Sequence, residues 1–91
     1  MYGLSEKELA VILEVLRDNG IQKAVLFGSR AKGDYKRGSD IDIAIKGDVK
    51  KISYLLNEES CLPYFFDIVD IDAINNENLL QHIQRVGKKL I

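Results

Sequence analysis

Apolar positions recur along this chain with two different periods, and the changes of period divide it into elements. Leu9, Ile12, Leu13 and Leu16 return at the three- and four-residue steps of an amphipathic helix. Ser5-Glu6-Lys7-Glu8 ahead of them has the form of a capping box, and Asn19-Gly20 supplies a stop. Lys23 to Phe27 is a short apolar run of strand character that leads straight into Gly28-Ser29. From Arg30 to Ser39 no apolar period is sustained, so this stretch, punctuated by Gly33 and Gly38, is expected to be a turn or short helix followed by a loop. Asp40-Ile41-Asp42-Ile43-Ala44-Ile45 then alternates with period two. That places both aspartates on one face of a strand and the three isoleucines on the other.

The second half repeats these signals. A helix is predicted over 49–59 with Val49, Ile52, Leu55 and Leu56 inward, and Pro63 lies beyond its end. Phe65 to Ile71 reads as a strand. Asn75 or Asn76 is placed to cap a last helix carrying Leu79, Leu80, Ile83 and Val86 and closed by Gly87, after which residues 88–91 form a short final strand. The order helix, strand, strand, helix, strand, helix predicts an α+β (α/β two-layer) domain spanning 1–91, in which helices pack on one face of a small mixed sheet. The other face is left for a site, and Asp40 and Asp42 point to it.

Composition narrows the classes. With 46% apolar and 30% charged residues, the chain is neither disordered nor membrane-like in make-up. Ninety-one residues bury a small core, so the stability margin is thin and a homo- or hetero-oligomeric partner would widen it. A net charge of -1 argues against stable binding of long nucleic acid, yet Lys23, Arg30, Lys32, Lys36 and Arg37 crowd into one stretch that suits a smaller anion. Cys61 is the only cysteine, which excludes an internal disulfide, and it is expected to be a small buried or inert thiol. The amino terminus lacks a signal-peptide layout and no apolar run reaches membrane-spanning length, which points to a cytoplasmic protein.

Two carboxylates on alternate strand residues repel one another unless a cation neutralises them. All-oxygen ligation favours magnesium, which completes its shell with water and substrate phosphates. Gly28-Ser29, directly after a buried strand, supplies the other half: glycine lets the backbone approach a ligand, while the following amides and the Ser29 hydroxyl donate to phosphate oxygens. A mechanism that deprotonates an acceptor hydroxyl and holds a second metal needs a third carboxylate. Asp67 is the first candidate and Asp70 the second, and strand periodicity puts them on opposite faces, while Asp72 suits a turn or helix cap. His82 has no partner at metal spacing and reads as an ordinary surface or core histidine, and Tyr54 and Tyr64 read as packing residues. Tyr35 stands in the loop between the two halves of the motif, in reach of a nucleotide or a partner.

The run Gly28-Ser29-Arg30-Ala31-Lys32-Gly33-Asp34 followed by Gly38-Ser39-Asp40-Ile41-Asp42 resembles the signature of the polymerase-beta-like nucleotidyltransferases, in particular the minimal nucleotidyltransferases of bacteria and archaea. The resemblance extends to Asp67-Ile68-Val69-Asp70 and to the ending from Ile83 to Leu90. It implies a polymerase-beta-like fold in which Asp40 and Asp42 bind two magnesium ions and Asp67 helps hold one and activates the acceptor. Gly28, Ser29, Arg30, Lys32 and Ser39 would contact the nucleotide, ATP. Arg37 joins the basic residues that face the departing phosphates. It further implies a separate helical partner, a higher-eukaryote-and-prokaryote-nucleotide-binding (HEPN) toxin, silenced by AMP attached to a tyrosine. The alternative from another class is a non-catalytic module that binds nucleotide and neutralises a partner by covering it. A third is a nucleotide-sensing piece of a larger enzyme, against which the Met1 start and the closing motif are set.

Overall fold

Ser5 opens the first helix as its sequence predicts: its hydroxyl accepts the Glu8 N–H at 3.1 Å while the Glu8 carboxylate accepts the Ser5 N–H at 2.9 Å. Helix α1 runs over Glu6–Asp18, buries Ile12 and Leu16, and ends at Asn19. The computed structural model describes residues 1–91, and its further elements are β1 (Ala24–Phe27), α2 (Gly28–Lys32), β2 (Ile41–Ile45), α3 (Val49–Tyr54), β3 (Phe66–Asp70), α4 (Glu77–Val86) and β4 (Lys88–Lys89). Asp48 caps α3 and Asn76, one of the two asparagines expected, caps α4. No helix is long and apolar enough to cross a membrane.

The strands form one mixed sheet in the order β3-β2-β1-β4. β1 is antiparallel to both β2 and β4, whereas β2 and β3 run parallel, joined by the α3 crossover. This is the α+β architecture with a small mixed sheet that the order of elements implies. Leu26, Ile41, Ile43, Ile45, Phe66 and Ile68 point to one face, where they pack with Ile12 and Leu16 of α1 and with Ile52 and Leu56 from the α3 segment. The helices are not all on that face. Ile83 of α4 packs with Phe27 and Ala44, flanked by Val25, Val69 and Leu79, on the opposite side. The physical reason lies in the register: Ala44 and Val69 are apolar positions on the aspartate face, and they need cover.

Three local expectations are corrected. The helix predicted over 49–59 widens into a π turn at Leu55–Glu59, where Asn57 turns its amide to the backbone of Phe66. Its two bonds, Asn57 Nδ2 to the Phe66 carbonyl at 3.0 Å and the Phe66 N–H to Asn57 Oδ1 at 2.8 Å, imitate a strand partner for β3. Cys61 is exposed and adopts a φ of +60°, just past this turn. Tyr54, expected to pack, is 56% exposed.

Candidate active site

Asp42 sits inside β2, opposite Phe27 of β1 on one side and Asp67 of β3 on the other. Directly paired residues in a sheet share a face, so Asp42 and Asp67 stand next to each other, with Asp40 two residues upstream on the same side. Asp70 pairs with Ile45 and so falls on the other face. Its carboxylate accepts the Asp72 N–H at 2.9 Å and caps the turn Ile71–Ala73. The capping role expected of Asp72 thus belongs to Asp70, and Asp72 lies 3.8 Å from Lys46 on the surface.

Asp40 and Asp67 are exposed and Asp42 is half-buried. Burial, then the neighbouring Asp67 and Asp40 carboxylates, push the Asp42 carboxyl above its ordinary value. No three carboxylate, imidazole or thiol groups converge closely enough to form a ready-made metal cage. Magnesium needs none, because it keeps several waters and takes further oxygens from phosphates. The donor set of three carboxylates therefore fits a magnesium–nucleotide pair better than a free metal ion.

β1 delivers Gly28 to the same end of the sheet. Its φ of +76° belongs to the left-handed region, and a Cβ there would collide with the Asp42 carboxylate. Glycine is thus required twice, by the turn and by the aspartate. Ser29 follows in the first turn of α2, whose N-cap, Phe27, offers no side-chain acceptor or donor. Gly28 itself donates its N–H to Nε2 of His82 at 3.1 Å. His82 was invisible as a site residue because no metal ligand stands at metal spacing from it. The signal was its position in the period: Leu79, His82, Ile83 and Val86 lie on one face of α4, so His82 faces the sheet.

The basic residues separate into different roles. Arg30 is only 3% exposed, and its guanidinium donates to the Ser39 carbonyl at 3.0 and 2.9 Å and to the Tyr2 carbonyl at 2.9 Å. It also lies over the rings of Tyr35 and Tyr64, at 5.3 and 4.8 Å. Arg30 thus fixes the backbone just before Asp40, a role that the sequence pattern did not give it. Ser39 closes the same loop, its hydroxyl accepting the Lys36 N–H at 2.8 Å. Lys32 is exposed beside Asp34, at 3.5 Å. A cavity of about 670 Å³ lies between α3 and the segment before β3 and includes none of Asp40, Asp42 and Asp67.

A mixed sheet that presents a carboxylate cluster beside a glycine-serine turn defines a domain of the nucleotidyltransferase class. The chain matches the model of the family described as "Polymerase beta, Nucleotidyltransferase" over residues 10–91, and it belongs to that family. A protein of Methanocaldococcus jannaschii with the provisional name protein adenylyltransferase is 51% identical over 43 residues, which is 47% of this chain and 43% of that protein. The match therefore spans less than half of that relative's length. Among solved structures, a toxin–antitoxin crystallised with AMP-PNP superposes with a TM-score of 0.73 at 33% identity, covering 91% of this chain and 72% of the other. A MntA–HpeT toxin–antitoxin carrying two aspartate-to-glutamate substitutions gives 0.72 at 30% identity, with the same coverage.

Proposed function

We propose that this domain transfers AMP from ATP, with magnesium, onto a hydroxyl of a partner protein, a tyrosine of a helical HEPN-type toxin, and so acts as the antitoxin of the pair. One observation carries the reading: Asp42 is crowded by Asp67 and Asp40 at the mouth of a turn that only glycine can form. Such a cluster is uncomfortable when empty and is relieved by a divalent cation. Asp40 and Asp42 would hold the metals, and Asp67, exposed at the rim, would share one of them and take the proton of the acceptor hydroxyl. Bound magnesium supplies neutralisation of the charge that builds on the phosphates as pyrophosphate leaves. Ser29 would grip the triphosphate and Lys32 would face the departing phosphates. Support for the donor and the partner comes from the relatives: the name of one specifies protein adenylylation, and the other two are toxin–antitoxin structures, one of them with AMP-PNP.

The test is to incubate the protein with labelled ATP and magnesium, with and without the helical product of the adjacent gene, and to follow intact masses. AMP mass is expected on the partner, absent when Asp42→Asn replaces the wild type. Label on RNA or a small molecule with the partner unmodified would remove the antitoxin reading and keep nucleotidyl transfer. Failure to label any acceptor would favour the module that neutralises its partner by direct binding.

A further inference from the structure

α4 delivers the His82 side chain to the carboxylate face, where it lands on the backbone of the glycine-serine turn. Nε2 of His82 accepts the Gly28 N–H at 3.1 Å across 54 residues of sequence. An imidazole nitrogen that accepts a hydrogen bond carries the lone pair, so the ring proton resides on Nδ1. The Gly28 amide begins α2 and is one of the donors that a helix start leaves without an intrahelical partner. It is therefore occupied before any ligand arrives.

We propose that His82 is a positioning residue for nucleotide binding: by holding the Gly28 N–H it fixes the peptide that aims the Ser29 amide and hydroxyl, leaving Gly28 a conformational role and Ser29 the phosphate contact. The inference rests on the reading of Gly28-Ser29 as the triphosphate-binding turn. Both ends of the bond are anchored. Ile83, the next residue of α4, is packed with Phe27, the residue before Gly28, in the small core on this face. The rings of Phe27 and His82 also meet edge to face, 6.4 Å between centroids at 82°. Asp42 lies against the turn as well, filling the space where a Gly28 side chain would be. Asp42 and His82 thus both bear on the Gly28 turn, the one by its carboxylate and the other by its ring nitrogen. A misaimed donor forfeits much of a charge-assisted hydrogen bond, since such bonds weaken steeply with angle.

His82→Phe keeps the ring and its edge contact but has no acceptor, and His82→Gln restores an acceptor on an unbranched chain. Magnesium–AMP-PNP should bind His82→Phe about tenfold more weakly than wild type, the equivalent of one lost hydrogen bond. His82→Gln should recover most of that loss. In amide NMR of the wild type, the Gly28 N–H should resist exchange without ligand and keep its protection on titration with magnesium–AMP-PNP, while the Ser29 resonance moves. A lower melting temperature for His82→Phe with unchanged AMP-PNP affinity would overturn the inference, as would equal weakness of the Phe and Gln variants or an unprotected Gly28 amide. The NMR result stands even where His82→Phe does not fold. A wild-type protein that binds no nucleotide overturns both this inference and the function beneath it, whereas nucleotide binding indifferent to His82 overturns this one alone.

Discussion

Gly28 and Asp42 each restrict what the other can be, and two glycines of nearly equal backbone geometry separate the causes. Gly20 has a φ of +74° with nothing within 4 Å of the place a Cβ would take, whereas Gly28, at +76°, faces the Asp42 carboxylate. Gly20→Ala should therefore cost only the left-handed strain, about 1–2 kcal/mol, and leave ligand binding intact. Gly28→Ala should add a roughly tenfold or greater loss of magnesium–AMP-PNP affinity by calorimetry. Asp42 itself carries a pH signature. Its folded pKa is raised, so the folded state keeps a proton that the unfolded state has released; stability falls as pH rises from the ordinary value of 3.8 through the raised one, and the cost is complete above it. Metal-free Asp42→Asn should accordingly melt a few degrees above wild type at neutral pH, with the gap closing in acid, and saturating magnesium–AMP-PNP should reverse the order. Arg30 predicts differently again: Arg30→Met removes three partly buried hydrogen bonds and should lower urea-unfolding stability by about 2–4 kcal/mol. At this scale the faces of the aspartates were legible, since strand parity alone puts Asp67 beside Asp42 and Asp70 on the other side. The chain concealed Arg30 and His82, because their partners are backbone groups distant in sequence, and no spacing rule reaches those.

Among the elements, the capped helices and the alternating strand were legible because each is specified by neighbours within a few residues. Ser5 with Glu8, Asp48 and Asn76 all act locally. The π turn at Leu55–Glu59 was not legible, since a helical period continues through it and only the meeting with β3 makes the extra width useful. Asn57 there supplies both donor and acceptor to Phe66, the residue before Asp67. Asn57→Ala should cost about 1–3 kcal/mol in urea unfolding and, on the proposed role of Asp67, reduce transfer more than nucleotide binding, because the backbone it releases, that of Phe66, leads directly into that carboxylate. Asn57→Asp loses the donor alone and should fall between. α4 was recognised as a helix, but its side of the sheet was not, because an apolar stripe states that cover is needed without stating where. Ala44 and Val69 decided that question only once β2 and β3 were in register.

Across the whole molecule, the thin core makes ligand linkage easy to see. A ligand at one hundred times its dissociation constant stabilises the folded state by about 2.7 kcal/mol, which for a domain this size is a rise on the order of ten degrees. Magnesium with AMP-PNP should produce that rise, and AMP-PNP in EDTA should produce little of it. The mixed sheet carries a further consequence. β1 and β2 are neighbours in sequence, but the parallel partner of β2 arrives only after the α3 crossover, and α4 later still. A chain emerging from the ribosome therefore exposes the Gly28 turn, Asp40 and Asp42 well before Asp67 and His82 exist. Long-range parallel pairing is also the slow part of folding. On the proposed function, a nascent chain is accordingly a bystander to the cell's nucleotide pool until the segment from β3 to α4 has been made and has docked.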